Sequence, residues 1–181
     1  MNLIETVQDC KKGKLSAQKT LYTQYKSLLF EICMRYTKDM LSAENMLHDS
    51  FLMVCREIRA YKELVPFEPW LKGMVIGYIL RKYKDLIPDT SLVDYNTSEH
   101  LKVFNEEIAK IPAANIIRLI QGLPQSQRTV FNLYNLDGLN HKEISQALSI
   151  SVHSSQTYYQ LAVEKLSSEV ADDKYTKETI E

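Results

Sequence analysis

Apolar residues recur at spacings of three and four along most of the chain, and this periodicity limits the folds that it can adopt. Residues 17–37 carry one apolar stripe, residues 43–61 carry a second, and residues 68–84 carry a third. Each stripe is typical of an amphipathic helix that buries one of its faces. No stretch alternates apolar and polar residues as a half-buried strand does. The sequence therefore predicts an all-α protein.

A segment without a clear period separates the predicted helices into two groups. Residues 85–112 begin with many turn-forming residues, and we interpret them as a linker, with a short helix predicted over 101–111. Residues 1–84 are predicted to form one small helical domain, and residues 113–170 a second. The polar tail 171–181 is expected to fray.

Composition excludes several classes of protein. The chain has 181 residues, of which 45% are hydrophobic and 25% are charged, as in ordinary globular proteins. Its three cysteines are widely spaced and form no metal or redox pair, so we expect reduced thiols, no metal and no cofactor. Neither a secretory signal nor a membrane-spanning run is visible, and a cytoplasmic protein is expected.

Charge is distributed unevenly along the chain. Residues 1–90 contain 14 basic and 11 acidic side chains, whereas residues 91–181 contain 8 and 12. The net charge of −1 excludes a strongly basic coat for nucleic acid. Any contact with DNA must come from a local patch, or from action beside a larger partner.

The C-terminal part of the chain contains the pattern that most directly suggests a function. Residues 128–166 read as a helix, a Gly turn, a short helix, a tight turn and a last helix. Asn140 with Glu143 fits a capping box, and Ser151 is predicted to cap the last helix. Two short helices joined this way form a helix-turn-helix, whose second helix can enter the major groove of DNA. The same pair also occurs as mere packing, so both interpretations stay open.

The faces of the last helix can be assigned from its period. One face is predicted to pack inward, and it carries Ser155, Tyr159, Ala162 and Leu166. The remaining faces carry His153, Ser154, Gln156, Thr157, Tyr158, Gln160 and Leu161. Gln156 can make a bidentate contact with adenine, and Ser154 or Thr157 can reach bases or phosphates. An ordinary solvated face explains the same residues.

Several motifs occur in a characteristic order. Residues 122–131 read GLPQSQRTVF, and they are followed by Asp-Gly-Leu at 137–139 and Lys-Glu-Ile-Ser at 142–145. In this order, the three stretches are similar to the motifs LPxxxRxVFxL, [ED]G and xxEIA. Residues 43–51, AENMLHDSF, resemble AEDxxQExF, and residues 66–71, PFEPWL, resemble FxxWL. Over nearly its whole length, the chain resembles the extracytoplasmic-function (ECF) class of bacterial RNA polymerase sigma factors.

The resemblance implies a division of labour between the two domains. The first domain would bind the β′ clamp helices of core RNA polymerase and melt the minus-ten promoter element, and the second would read the minus-thirty-five element with its last helix. The implied polymerase-binding residues are Glu44, Asn45, His48 and Asp49. The implied minus-ten residues are Arg56, Arg59, Tyr61, Phe67, Lys72, Arg81, Lys82 and Lys84. The implied minus-thirty-five residues are Arg128, Lys142, His153, Ser154, Gln156, Thr157 and Gln160.

The physical roles of these residues follow from their chemistry. Lys and Arg would contact DNA phosphates, and an aromatic side chain would stack on an unpaired base. For Trp70, which lies on an apolar stripe, we expect core packing instead. The partners implied are core RNA polymerase through its β′ clamp helices and β subunit, promoter DNA, and an anti-sigma factor. Neither a small-molecule substrate nor membrane insertion is expected.

The last helix departs most from the pattern of the family, which usually has Lys or Arg at three positions that are uncharged here. These positions are Gln156, Leu161 and Val163, and only Lys165 is basic within 151–166. Ser149 replaces a usual Gly between the two helices. Each lost phosphate contact weakens DNA affinity and its salt dependence. We expect an exposed Leu161 and Val163 to form a patch that faces a protein.

Three functional hypotheses follow. The first is a sigma factor that directs promoter-specific initiation. The alternative is a degenerate sigma-like regulator that binds protein partners and reads the upstream element weakly or not at all. An enzyme is the third class, and the sequence argues against it, because its four histidines are scattered and it has neither an H-E-x-x-H motif nor a Gly-rich phosphate loop. We therefore expect no catalytic activity.

Overall fold

The computed structural model describes residues 2–90 and 113–171. These residues form helices without any β-strand, which confirms the all-α prediction. The helices are α1 (Leu3–Lys11), α2 (Leu15–Tyr36), α3 (Met40–Glu57), α4 (Phe67–Tyr83), α5 (Ala113–Gly122), α6 (Gln125–Asn135), α7 (His141–Leu148) and α8 (Val152–Ala171). Short 3₁₀ turns follow α3 at Ile58–Ala60 and α4 at Lys84–Leu86. The predicted helix over 101–111 lies outside the described residues.

The chain divides into two compact units, Met1–Lys82 and Tyr83–Glu181. In the first unit, α2, α3 and α4 each turn their apolar stripe towards one core. The buried residues of these helices include Leu21, Leu29, Ile32, Met46, Leu47, Val54, Leu71, Val75 and Ile79. Close packing of such side chains accounts for most of the stability of a helical bundle.

The helix α1 is absent from the sequence-based prediction. With nine residues, it is too short to show a convincing period. It begins with a capping box, in which the Asn2 side chain accepts a hydrogen bond from the chain and Glu5 accepts one from the Asn2 amide. It buries Val7 and Cys10 in the core of the first unit. The spacing of Asn2 and Glu5 is that of a capping box, and it could have predicted the beginning of this helix.

The second unit contains the predicted helix-turn-helix, formed by α7 and α8. Asn140 caps α7 by accepting the amide protons of Lys142 and Glu143, both at 3.0 Å, and Glu143 accepts the Asn140 amide proton at 2.8 Å. Ser151 caps α8 by accepting the amide proton of Ser154 at 3.0 Å. Both predicted caps are therefore confirmed. The predicted inward face of α8 is buried as well, at Ser155, Tyr159, Ala162 and Leu166.

The expected protein-facing patch on α8 is wrong. Val163 is only 2% exposed, and Leu161 is half-buried. Val163 follows Tyr159 by four residues and precedes Leu166 by three, which places all three on the same helical face. Val163 therefore belongs to the core of this unit, and a basic residue there would be buried and would not face DNA.

Ser149, which ends α7, has a left-handed backbone with φ of 58°. A side chain with a Cβ is strained in this region, whereas Gly is not. We expect Ser149→Gly to raise the free energy of unfolding of the second unit by about 0.5–1 kcal/mol, as measured by chemical denaturation. Ser145→Gly, in the interior of α7, is the matched control and should lower it by a similar amount. Loss of stability in both variants would contradict this account.

Candidate functional site

The four residues that the resemblance assigns to polymerase lie together on α3. Glu44, Asn45, His48 and Asp49 are all exposed. They occupy positions one, two, five and six of a six-residue stretch, and a helix places such positions on one face. The opposite face of α3 is buried at Met46, Leu47 and Val54. The predicted set is therefore one continuous polar surface.

An apolar groove borders this polar surface between α2 and α3. It has a volume of about 520 Å³, and its lining residues are Tyr22, Lys26, Phe30, Met40, Glu44, Asn45, Leu47 and His48. Met40 is 61% exposed although it is a large apolar side chain. A second groove of about 310 Å³ shares Tyr22 and His48 and adds the exposed side chains of Leu15 and Leu52. Sequence reasoning missed Met40, Leu15 and Leu52, because these three apolar residues lie off the periodic stripes.

The basic residues assigned to the minus-ten element are accessible. Arg56, Arg59, Arg81, Lys82 and Lys84 are exposed, and Lys72 is half-buried. Two of them form ion pairs, Lys72 with Glu68 at 2.8 Å and Lys82 with Asp49 at 3.6 Å. Surface pairs of this kind contribute only about 0–1 kcal/mol, so the lysines can exchange their carboxylate for a phosphate.

The aromatic residues assigned to the minus-ten element form a cluster in the first unit. The ring centroid of Tyr61 lies 5.3 Å from that of Phe67 and 5.0 Å from that of Trp70. Tyr61 and Phe67 are buried, and Trp70 is half-buried. These rings support the fold in the arrangement seen, which agrees with the expectation of core packing for Trp70.

The loop between Tyr61 and Phe67 projects from this cluster. Leu64 is 86% exposed, and the Tyr61 hydroxyl donates a hydrogen bond to the Val65 carbonyl at 2.7 Å. A groove of about 400 Å³ lies beside the loop, lined by Leu3, Ile4, Val7, Tyr61, Glu63, Leu64, Val65, Pro66 and Phe67. The exposed apolar residues of this loop were another feature that sequence reasoning missed. The sequence did contain a signal for them, because Leu64 and Val65 are apolar residues that belong to no helical stripe.

The N-terminal helix holds the same loop in place. Glu63 has a left-handed backbone with φ of 59°, a conformation that needs support from its surroundings. The Gln8 side chain donates a hydrogen bond to the Glu63 carboxylate at 2.9 Å, and the Lys11 ammonium lies 3.7 Å from it. Arg59 donates to the Lys11 carbonyl at 3.0 Å. These contacts join α1 to the exposed loop.

In the second unit, Arg128 and Lys142 differ in their exposure to solvent. Arg128 is 5% exposed, and its guanidinium donates hydrogen bonds to the carbonyls of Gln121 at 2.8 Å and Leu123 at 2.6 Å. It therefore closes the turn between α5 and α6 and is not presented to a ligand. Lys142 is exposed in the first turn of α7.

The residues assigned to DNA on α8 are only partly accessible. Gln156 is exposed, and His153 and Gln160 are half-buried, but Ser154 and Thr157 are buried. Ser154 is 0% exposed because the chain segment around Asp89 covers it. The remaining basic residue of this helix, Lys165, donates a hydrogen bond to the Gly122 carbonyl at 3.2 Å. The structure therefore presents a smaller polar surface than the period of the helix predicts.

Several side chains have shifted pKa values, and each shift has a structural cause. Burial raises the pKa of Cys10 to about 11 and that of Cys33 to about 12, so both thiols are protonated at neutral pH. Burial also lowers the pKa of His141, which accompanies its contact with the Ser155 hydroxyl at 3.0 Å. Hydrogen bonds from Ser154 and Ser151 hold the pKa of Asp89 below its usual value. Asp89 is thus an anion near α8.

Over residues 2–90 and 113–171, no group of three or more His, Cys, Asp or Glu side chains could hold a metal ion. None of the helices in that part of the chain has both the length and the apolar character that a membrane span requires.

Two family models match the chain. The model of Sigma-70 region 2 matches residues 21–86, and the model of Sigma-70, region 4 matches residues 113–166. Together the two matches span more than half of the 181 residues. The first contains the polar face of α3 and the basic residues described above. The second contains the helix-turn-helix.

Solved structures also match the chain. The structure of CnrH in complex with the cytosolic domain of CnrY matches with a TM-score of 0.48 and 16% sequence identity, and it covers 93% of this chain and 97% of that chain. The RsbN–BldN complex matches with a TM-score of 0.37 and 17% identity, and it covers 90% of this chain and 98% of that chain.

Curated relatives align along most of the chain. It is 23% identical to ECF RNA polymerase sigma factor SigW of Bacillus subtilis (strain 168) in an alignment of 184 positions that covers 95% of this chain and 98% of SigW. It is 24% identical to ECF RNA polymerase sigma factor SigM of the same strain in an alignment of 137 positions that covers 72% of this chain and 81% of SigM. With both sigma-70 regions in order and relatives of one class along its length, the chain belongs to the sigma-70 family of RNA polymerase sigma factors, in the ECF class.

Proposed function

We propose that the chain directs promoter-specific initiation of transcription by binding core RNA polymerase and promoter DNA. The observation that carries the proposal is the presence of both sigma-70 regions in order. RNA synthesis itself would be catalysed by the polymerase, so the chain acts as a specificity subunit and not as an enzyme. Its place of action is then the cytoplasm, where polymerase and promoters are found.

The polymerase would contact the polar face of α3 and the groove beside it. The groove supplies apolar surface from Tyr22, Phe30 and Met40, and Glu44 supplies a negative charge at its rim. Lys26 also lines the groove, so the groove fits a helix that carries apolar side chains and a basic residue placed opposite Glu44. The β′ clamp helices that the resemblance implies are a partner of this kind. The β subunit is the partner proposed for the second unit.

Promoter DNA would contact the exposed basic side chains of the first unit. Arg56, Arg81 and Lys82 are exposed and suited to contact phosphates. The loop that contains Leu64 and Val65 lies beside an open groove next to the Tyr61 ring. An unpaired base needs a concave apolar surface of this kind when it leaves the stack. The minus-ten element would therefore be opened here.

The polymerase contact can be tested by charge reversal. We expect Glu44→Lys to weaken binding to core RNA polymerase by at least about tenfold, because a cation would replace the one carboxylate among the described residues that line the groove. Glu31→Lys is the matched control, since Glu31 is exposed on α2 but does not line the groove. Affinity is measured by titration of labelled chain with core polymerase at low salt. Absence of binding by the unmodified chain, or equal loss in both variants, would contradict the proposal.

The degenerate regulator remains the second candidate, and one observation favours it. The single basic residue of α8 before position 166, Lys165, already bonds to Gly122 within the unit. Promoter-dependent transcription in vitro separates the two functions. A sigma factor supports a run-off transcript from a cognate promoter, whereas a regulator binds polymerase without producing one. An anti-sigma factor is a further proposed partner for either, and it would compete with polymerase for the α2–α3 surface.

A further inference from the structure

The chain segment Ile87–Thr90 lies against the beginning of the helix α8 within the second unit. The Asp89 carboxylate accepts the amide proton of Ser151 at 2.9 Å and also contacts the Ser154 hydroxyl. The Thr90 amide donates to the Ser154 hydroxyl oxygen at 2.8 Å. One turn further, the Tyr158 hydroxyl donates to the Pro88 carbonyl at 2.8 Å. Ile87 is buried. The segment therefore contacts two turns of α8.

The part of α8 that is covered is the part that a helix-turn-helix uses on DNA. Residues near the N-terminus of the second helix reach base edges and phosphates. Free amide protons and the positive end of the helix dipole favour an anion at the same place. Here the Ser151 amide is already bonded to a carboxylate, and Ser154 is buried. An intramolecular anion thus stands where a phosphate would bind.

The local sequence explains why the carboxylate comes from a distance. In a capping box, an acidic residue three positions after the cap accepts the amide proton of the cap itself. In α7 this residue is Glu143, but in α8 the corresponding residue is Ser154, whose side chain is too short for the task. Asp89 supplies the missing acceptor from outside the helix. The contact is therefore well suited to hold the segment in place.

We propose that Pro88–Thr90 is a built-in competitor of DNA, which covers the Ser151 and Ser154 side of the reading surface of α8 until the segment is displaced, while Gln156 stays exposed. The inference rests on the proposed function, because it assigns DNA reading to α8. The segment opens the predicted linker 85–112, so a partner that extends this linker withdraws the carboxylate. Binding of polymerase would then both recruit the chain and uncover its second DNA contact.

The expected change in DNA affinity depends on the fraction of molecules in which the segment covers α8. If the segment covers α8 in nine molecules of ten, the apparent affinity for DNA falls about tenfold relative to the open form. Asp89→Asn weakens the cap, because a neutral amide accepts less strongly than a carboxylate. We therefore expect Asp89→Asn to bind DNA about three- to tenfold more tightly than the unmodified chain, while its second unit becomes less stable.

The experiment uses the full chain and a fluorescein-labelled duplex of random sequence, with affinity read by anisotropy at fixed salt. Asp85→Asn is the matched control, since it makes the same change of charge on the exposed turn Lys84–Leu86. Thr90→Pro removes the amide that bonds to Ser154 without any change of charge, and it should tighten binding too.

Tighter binding by Asp89→Asn and Thr90→Pro, but not by Asp85→Asn, supports the competitor. Equal gains in DNA affinity by the two Asp variants would show that the loss of one negative charge accounts for the effect, and they would overturn the proposal. Unchanged or weaker DNA binding by Thr90→Pro would overturn it as well. These outcomes are independent of polymerase binding, so they are distinguishable from failure of the proposed function. That failure would appear as the absence of a complex when the labelled chain is titrated with core polymerase.

Discussion

Arg128→Met is expected to lower the free energy of unfolding of the second unit by about 2–3 kcal/mol. The guanidinium bonds to the carbonyls of Gln121 and Leu123, and hydrogen bonds to a charged group in a buried position contribute about 1.5–3 kcal/mol. Met fills much of the space of the Arg stem, so the loss reports the bonds and not a cavity. Amide hydrogen exchange of α6 and α8 measures the opening of this unit separately from the first.

Lys142→Met is the comparison that separates structure from DNA binding. Both residues belong to the set predicted for the minus-thirty-five element, but Lys142 is exposed. Its replacement should leave stability within about 0.5 kcal/mol and, if it contacts a phosphate, reduce the salt dependence of DNA binding by about one unit of slope. Unchanged hydrogen exchange in Arg128→Met would show that its buried contacts contribute little.

Tyr61→Ala is expected to lower the free energy of unfolding of the first unit by about 3–4 kcal/mol. Its ring packs against Phe67 and Trp70, and truncation of a buried aromatic side chain leaves a cavity that its neighbours fill only partly. Trp70 is the single tryptophan of the chain, and the Tyr61 ring centroid lies 5.0 Å from it. Fluorescence of Trp70 during urea denaturation therefore reports the unfolding of this unit.

Tyr61→Phe isolates the contribution of the loop. It keeps the ring but removes the hydroxyl that donates to the Val65 carbonyl, so we expect a loss of about 1 kcal/mol. If the loop captures an unpaired base, open-complex formation measured by permanganate footprinting should fall more than the small loss of stability explains. Normal promoter opening in Tyr61→Phe would separate the loop from promoter melting.

Local patterns were sufficient for much of the fold. The stripes of α2, α3 and α4 predicted three helices that share a core, and the caps at Asn140 and Ser151 were read correctly from residue type and spacing. The polar face of α3 was predictable for the same reason, because a helix of known period places Glu44 and His48 side by side. The helix α1 was missed because nine residues carry too little periodicity.

The candidate site was less predictable where it depends on more than one helix. The groove beside α3 requires Tyr22 and Met40 to lie near each other, and no local pattern contains that information. Arg128 matched a family motif, yet the turn between α5 and α6 uses it within the fold. Val163 was read as exposed from its departure from the family, although its spacing from Tyr159 and Leu166 already placed it inward.

The sequence by itself determined the helical class, the helix-turn-helix, the caps of α7 and α8 and the polar face of α3, because each depends on residues within a few positions of one another. Only the tertiary structure decided which polar residues are available to a partner. Ser154 was predicted to face outward, and it is buried because Asp89 and Thr90, more than 60 residues earlier, bond to it. Helical period specifies the direction of a side chain, but solvent access depends on distant segments that pack over it.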